Sequence, residues 1–269
     1  MIYNTPIEKY LIEGQEIYVK REDLACLPPG PPFAKVRGLY PVLRRLKKEG
    51  IKTVGYMETS ISMAGWGISY FCKNLGMKAV IFMPQYKDGL RYNQEFQINK
   101  WEKFGAEIIP IEKPSRMFIN FYRARKILSE KYPSSMMLPQ GMPFEETVRE
   151  VSIQASHISS YYKSIICCIG SGAMIAGILH ARLGIPIYGI LVSKKGTKIV
   201  KEKVLRMSGM DGFIRKYLFI IDYGYEYTDL EEIECPFPCN PYYDRKAWKW
   251  LMGNMDKVEK PILFWNIGA

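Results

Sequence analysis

A chain of 269 residues with 48% apolar and 24% charged residues can fold around a sizeable core, which excludes a disordered segment or a small disulfide-stapled scaffold. No apolar run reaches the roughly 18 residues needed to cross a bilayer, so no membrane partner is expected. The formal net charge of +11 is the outlier; it suits an anionic partner, whether phosphate, nucleotide or nucleic acid, and equally a basic surface that keeps the protein in solution.

In chain order, Glu16 to Lys20 reads as a strand, followed by Arg-Glu-Asp-Leu and the irregular loop LPPGPP, in which proline forbids regular pairing. That loop delivers Lys35 to the start of a helix: Leu39, Val42, Leu43 and Leu46 recur at helical spacing against Arg44, Arg45, Lys47 and Lys48, and Gly50 stops it. Thr53 to Tyr56 and Lys78 to Met83 read as strands, with a small-residue loop and a helix between them. A helix from Asn93 to Phe104, a strand from Glu107 to Ile111 and a helix from Ser115 to Lys131 repeat the unit. A third unit runs from Met137 through a long helix, Phe144 to about Tyr161, into the strand Ser164 to Ile169 and the loop GSGAMIAG. Ile187 to Val192 and Pro261 to Trp265 read as further strands, while Asp222 to Pro241, rich in acids, Tyr and Pro, has no readable pattern. Strands alternating with helices predict an α/β fold with mainly parallel sheets flanked by helices.

The six cysteines are expected to be reduced thiols, since Cys167 and Cys168 are adjacent in an apolar run, and the opening residues MIYNTPIEKYLIEG lack the organisation of a signal peptide, so a cytosolic protein is expected. Cys235 and Cys239 could be half a zinc site, but no second pair follows and the histidines are His157 and His180 alone; no metal is expected. The basic residues cluster at Arg44 to Lys48 and at Lys194 to Lys203 without a nucleic-acid-binding motif.

Three stretches could carry chemistry. Gly170-Ser171-Gly172-Ala173-Met174, between an apolar strand and an apolar helix, offers backbone amides and the helix dipole to a phosphate, or is simply a tight connection. Lys35 stands alone in the apolar run PPFAKVRGL; its amine becomes a nucleophile toward carbonyls if burial or a cation such as Arg37 disfavours its charged form, and otherwise it is a surface lysine in a first helical turn. The run from Glu58 to Gly67, ETSISMAGWG, places hydroxyls where a strand ends and a helix begins, which suits a carboxylate ligand or plain helix capping.

Together these stretches resemble the fold-type-II pyridoxal-phosphate (PLP) enzymes, the tryptophan synthase β-subunit family, and within it the aminocyclopropane-carboxylate deaminase and D-cysteine desulfhydrase branch. TPIEKY, IYVKREDL and FAKVRGL are similar to the branch's opening blocks, ETSISMAGWG with LGMKAVIFMP to its substrate-carboxylate loop and next strand, GSGAMIAG to its phosphate cup, and ILFWNIGA to its closing segment. The resemblance implies two domains, residues 1–45 with 135–269 holding the cofactor and residues 46–134 forming a smaller one, and a homodimer. It implies PLP held as a Schiff base by Lys35, with its phosphate on Gly170, Ser171, Gly172, Ala173 and Met174 and its ring near Met63, Asn266 and Ile267. Ser60, Ile61, Ser62, Ala64 and Gln140 would meet the substrate.

Several positions depart from the family's pattern. Met63 replaces a cofactor-orienting asparagine, Ala173-Met174 a Gly-Thr, and Ile267 a hydroxyl residue near the pyridine nitrogen; each neutral hydrogen bond lost costs only about 0.5–1.5 kcal/mol. Three functions follow from the resemblance and these departures. The first is a PLP-dependent lyase or deaminase acting at the α-carbon of an amino acid. The second is a PLP enzyme acting on an amino acid carried by DNA or a nucleotide, and the third is an inactive member with a binding role.

Overall fold

The computed structural model describes residues 2–91, 93–210 and 214–269. The chain divides into two compact units: Met1–Pro28, Pro32–Gly38 and Pro143–Ala269 form the first, and Pro29–Pro31 with Leu39–Met142 the second.

The first unit is built on a six-stranded sheet. Its strands are β1 (Ile7–Ile12), β2 (Gln15–Arg21), β7 (Ser164–Ile169), β8 (Ile187–Leu191), β9 (Leu218–Ile221) and β10 (Ile262–Asn266). Their order is β1-β2-β10-β7-β8-β9, parallel throughout except for the β1/β2 hairpin. The central strands are apolar on both faces because both are covered, as parallel sheets require. Ile165, Cys167 and Ile169 of β7 and Leu263 and Trp265 of β10 face a core shared with α5 (Glu145–Ser156), α6 (Ala173–His180) and α7 (Thr197–Ser208). Ile166, Cys168, Ile262 and Phe264 face the opposite core, with Trp248 and Leu251 of α8 (Asp244–Met252) and Phe237. Each such residue, fully buried, contributes about 1.5–3 kcal/mol. Helices α5 and α6 cross closely at Gly177, where a Cβ would lie 2.5 Å from the Val151 Cβ.

Helix α5 ends at Ser156, short of the expected Tyr161, because Tyr162 turns into the core and packs edge-on against Tyr18 of β2, 5.3 Å between centroids. The unreadable segment 222–241 contains neither helix nor strand. It is pinned by Lys246, fully buried, whose Nζ donates to the carbonyls of Val192 (3.0 Å), Glu226 (2.9 Å) and Tyr227 (3.4 Å).

The second unit carries a parallel four-stranded sheet, order β5-β4-β3-β6, from β3 (Thr53–Met57), β4 (Lys78–Pro84), β5 (Glu107–Ile111) and β6 (Ser135–Met137). Helices α2 (Ala64–Leu75), α3 (Gln94–Lys103) and α4 (Met117–Lys131) connect the strands, and Met57, Val80, Phe82, Ile111, Ala124 and Leu128 form its core. Its limits correct the expected 46–134. Residues 135–142 belong here, since β6 pairs with β3 and the Leu138 amide donates to the Gly55 carbonyl (2.9 Å). So does most of α1 (Val36–Lys48), whose Tyr40 packs on Phe71 at 5.2 Å between centroids. Among the described residues no helix is long and apolar enough to cross a membrane.

Candidate active site

In the first unit, Lys35 directly precedes α1, and the Ala34 amide donates to the Ile267 carbonyl (2.8 Å), which ties the lysine's segment to the end of β10. The neighbouring polar block is structural. Arg37 forks onto the fully buried Glu22, Nε to Oε2 at 2.5 Å and Nη2 to Oε1 at 2.9 Å, and Thr5 also donates to Glu22. Arg21 forks onto Asp23 at 2.9 and 2.7 Å, and Asp23 Oδ1 accepts from Asn266 Nδ2 at 3.0 Å. The expectation that Arg37 tunes Lys35 is thereby corrected, because Glu22 neutralises that guanidinium. Burial in the first place, and then the charges of Lys195 and Lys203, outweigh the opposite pull of the Cys168 side chain and bring the Lys35 amine down to about 8. Against an ordinary 10.5, that raises the neutral, nucleophilic fraction near neutral pH by about 300-fold.

The glycine loop lies between β7 and α6 as expected. Gly172 has φ +95°, a conformation that costs other residues about 1–2 kcal/mol, and a Cβ there would lie 3.0 Å from Val204 Cγ2 of α7. Ala173 and Met174 begin the helix itself; the Met174 side chain is in the core and provides no polar group. Lys195 Nζ donates to the Gly170 carbonyl at 3.1 Å.

At the end of β10, Asn266 is fully buried, and its amide nitrogen is spent on Asp23 and on the Pro238 carbonyl (2.9 Å). The Ile267 amide donates to Oδ1 of Asp244 at 2.9 Å, and Cys168 Sγ approaches the same oxygen at 3.6 Å. Asp244 is fully buried and its Oδ2 has no hydrogen-bond partner among the described residues. Burial, reinforced by the Asp23 charge, pushes its carboxyl up to about 8. Sequence reasoning missed Asp244, since the helix it opens was not read from the sequence; its signal was its place among aromatic residues, Tyr242 and Tyr243 before it and Trp248 after it.

In the second unit, Ser60, Ile61, Ser62, Met63 and Ala64 form one loop from the end of β3 into α2. Gln140 follows β6, whose partner in the sheet is β3, and the Gly141 amide donates to the Tyr56 hydroxyl at 3.2 Å. Much of the loop's polarity is spent on itself: Ser62 Oγ accepts from the Ala64 amide (3.1 Å) and Thr59 Oγ1 from that of Ser62 (3.2 Å). The fully buried Glu58 accepts from the amides of Gly65 and Thr59, and burial pushes its carboxyl up to about 8. Ile61 and Ala64 are buried, so they shape the loop, and the Gln140 amide nitrogen is a buried donor without a partner among the described residues.

A depressed lysine amine, a glycine loop opening a helix and a buried carboxylate with one unused oxygen together suit a cofactor that carries a carbonyl, a phosphate and a basic ring nitrogen. That defines a carbonyl-cofactor enzyme on an α/β scaffold. The model of the family described as pyridoxal-phosphate dependent enzyme matches residues 1–203, and the chain belongs to that family, with pyridoxal phosphate as its cofactor. A "Glycyl-dTMP PLP-dependent decarboxylase" of Pseudomonas phage M6 is 33% identical over 100% of this chain and 99% of its own. Among solved structures, an aminocyclopropane-carboxylate deaminase homologue superposes with a TM-score of 0.78 at 21% identity, covering 99% of this chain and 89% of that one. A hydrogen sulfide-producing enzyme of Fusobacterium nucleatum does so with a TM-score of 0.69 at 17% identity, covering 100% and 96%. These two likenesses establish the fold.

Proposed function

We propose that this enzyme is a decarboxylase that removes the carboxylate of a glycyl group carried on a thymidine nucleotide. The similarity that carries the reading is the 33% identity, end to end, with the phage enzyme named for that substrate. The net charge of +11 supports it, because a nucleotide brings phosphate that a free amino acid lacks.

In this reading Lys35 is the amine that bonds the cofactor's carbonyl carbon, and the loop at Gly170, Ser171 and Gly172 holds its phosphate. The unused Oδ2 of Asp244 is the acceptor for its ring nitrogen, close to the Ile267 amide that Oδ1 already binds. When bound, the cofactor supplies an electron sink for the pair left behind as the bond to the carboxylate breaks. Lys35, with its amine near 8, exchanges a proton readily at neutral pH, and its Nζ delivers the proton that takes the place of CO2 on the α-carbon. Within the second unit, Ser60 and Gln140 keep donors, the Ser60 hydroxyl and the Gln140 amide nitrogen, that have no partner among the described residues.

The test is to load the protein with PLP, supply synthetic glycyl-dTMP and follow CO2 release and product mass, with Lys35→Ala alongside. Lysine-dependent loss of CO2 is the expected result. Turnover of 1-aminocyclopropane-carboxylate, D-cysteine or serine with no reaction of the nucleotide would replace this reading with that of an amino-acid lyase or deaminase.

A further inference from the structure

One lysine of the first unit reaches the glycine loop, and its charge interacts with those of Lys35 and Lys203. Lys195 places its Nζ on the Gly170 carbonyl at 3.1 Å. Lys203 stands one residue before Val204, whose Cγ2 would lie 3.0 Å from a Cβ on Gly172. Both repel Lys35 strongly enough to lower its amine, and Lys203 helps to lower that of Lys195, whose own burial is the larger cause. The adjacent Lys194 is neutralised by Glu226 at 3.0 Å, but among the described residues neither Lys195 nor Lys203 has a carboxylate within ion-pair distance. Like charges held together without a counter-charge oppose folding, and an anion among them reverses the sign. The loop supplies backbone amides but, after Ser171, no hydroxyl, since Ala173 and Met174 follow. Plain surface lysines account for the exposed stems, yet they do not account for an ammonium folded back onto a loop carbonyl.

We propose that Lys195 and Lys203 complete the Gly170-Ser171-Gly172 loop as a site for a phosphate monoester dianion, supplying in cationic form the donors that the loop's own side chains lack. Two sources carry that chemistry: the cofactor's phosphate and the phosphate of a nucleotide substrate. The second source alone rests on the function proposed above.

The test measures binding, not turnover. The apoprotein, its Lys195→Met and Lys203→Met variants and the double variant are titrated by absorbance with PLP and with pyridoxal, which has the carbonyl and lacks the phosphate. The PLP-loaded forms are then titrated with dTMP and with thymidine. Charge-assisted hydrogen bonds of this kind change affinity by about tenfold each. If the cofactor's phosphate is held, the preference for PLP over pyridoxal falls by about that factor per lysine while pyridoxal binding is unchanged, and Lys195→Arg retains it. If the nucleotide's phosphate is held, the preference for dTMP over thymidine falls instead. A double variant in which both preferences survive intact overturns the proposal. Because pyridoxal and PLP are compared without substrate, that failure is distinct from failure of the decarboxylase reading.

Discussion

Replacing Asp244 by Asn tests the electrostatics of the cofactor pocket. The carboxyl is fully buried, one of its oxygens holds the Ile267 amide, and the other has no partner among the described residues. Its folded-state value of about 8 stands above its ordinary 3.8, so the protonated form is favoured by folding. The stability this proton brings is present in full below about pH 4 and is lost as pH rises through 8. At about 1.4 kcal/mol per pH unit, the loss between pH 5 and 8 has an upper bound of about 4 kcal/mol. Asparagine keeps an acceptor for the Ile267 amide and cannot ionise, so Asp244→Asn should be spared that loss. The assay is urea unfolding of the cofactor-free protein at pH 5, 6, 7 and 8, reading the difference between wild type and variant, which cancels the similar contribution of Glu58. The variant should gain on the wild type steadily with pH. Saturating PLP should flatten the wild-type curve, because the ionised Oδ2 then has a partner. Parallel curves for wild type and variant would refute the reasoning, since they would mean that Asp244 holds the same charge in the folded and unfolded chain.

Two further substitutions probe the frame around the site. Gly172→Ala must hold φ +95° and press a methyl to 3.0 Å from Val204; unfolding should show a loss of about 1–2 kcal/mol together with weaker PLP binding, and an unaltered PLP affinity would argue that the loop does not hold the phosphate. Arg37→Met removes the two-pronged partner of the buried Glu22 and leaves it Lys20 at 3.9 Å and the Thr5 hydroxyl, so it should cost about 1.5–3 kcal/mol in urea unfolding; a cost under about 0.5 kcal/mol would show the pair to be solvated.

How far the sequence reached is explained by what each signal measures. The apolar run Ser164 to Ile169 is a strand at the expected bounds, because a strand buried on both faces leaves a compositional trace independent of its neighbours; the edge strand Glu107 to Ile111, only partly buried, also has the expected bounds, marked by its three isoleucines. Strand β1 and helix α8 escaped notice. The first is a half-exposed edge strand, and the second mixes Arg245, Lys246 and Lys249 with its tryptophans. Lys246 is fully buried, and no pattern of apolar and charged residues marks a lysine that works as an internal clamp. The motif residues around Lys35 and Gly170 stood out because glycine and proline constrain the backbone locally. Asp244 and Lys195 did not, because their significance comes only from the loops that folding brings beside them.

The same long-range pairing bears on whether the enzyme is active. Ala173, Met174 and Ile267, read along the chain, are lost polar groups and suggest a retired protein. In the folded first unit each loss has a polar counterpart contributed from elsewhere: Lys195 on the Gly170 carbonyl, and Asp244 on the Ile267 amide. Each is unfavourable without a ligand among the described residues, Lys195 as a positive charge with no carboxylate within ion-pair distance and Asp244 as a buried carboxyl with an idle oxygen. A chain kept only for its surface would be more stable with an apolar residue in place of the buried Asp244. In the function proposed above, an anion meets the lysines and a ring nitrogen meets the carboxylate, and a phosphorylated pyridine cofactor offers both groups on one molecule.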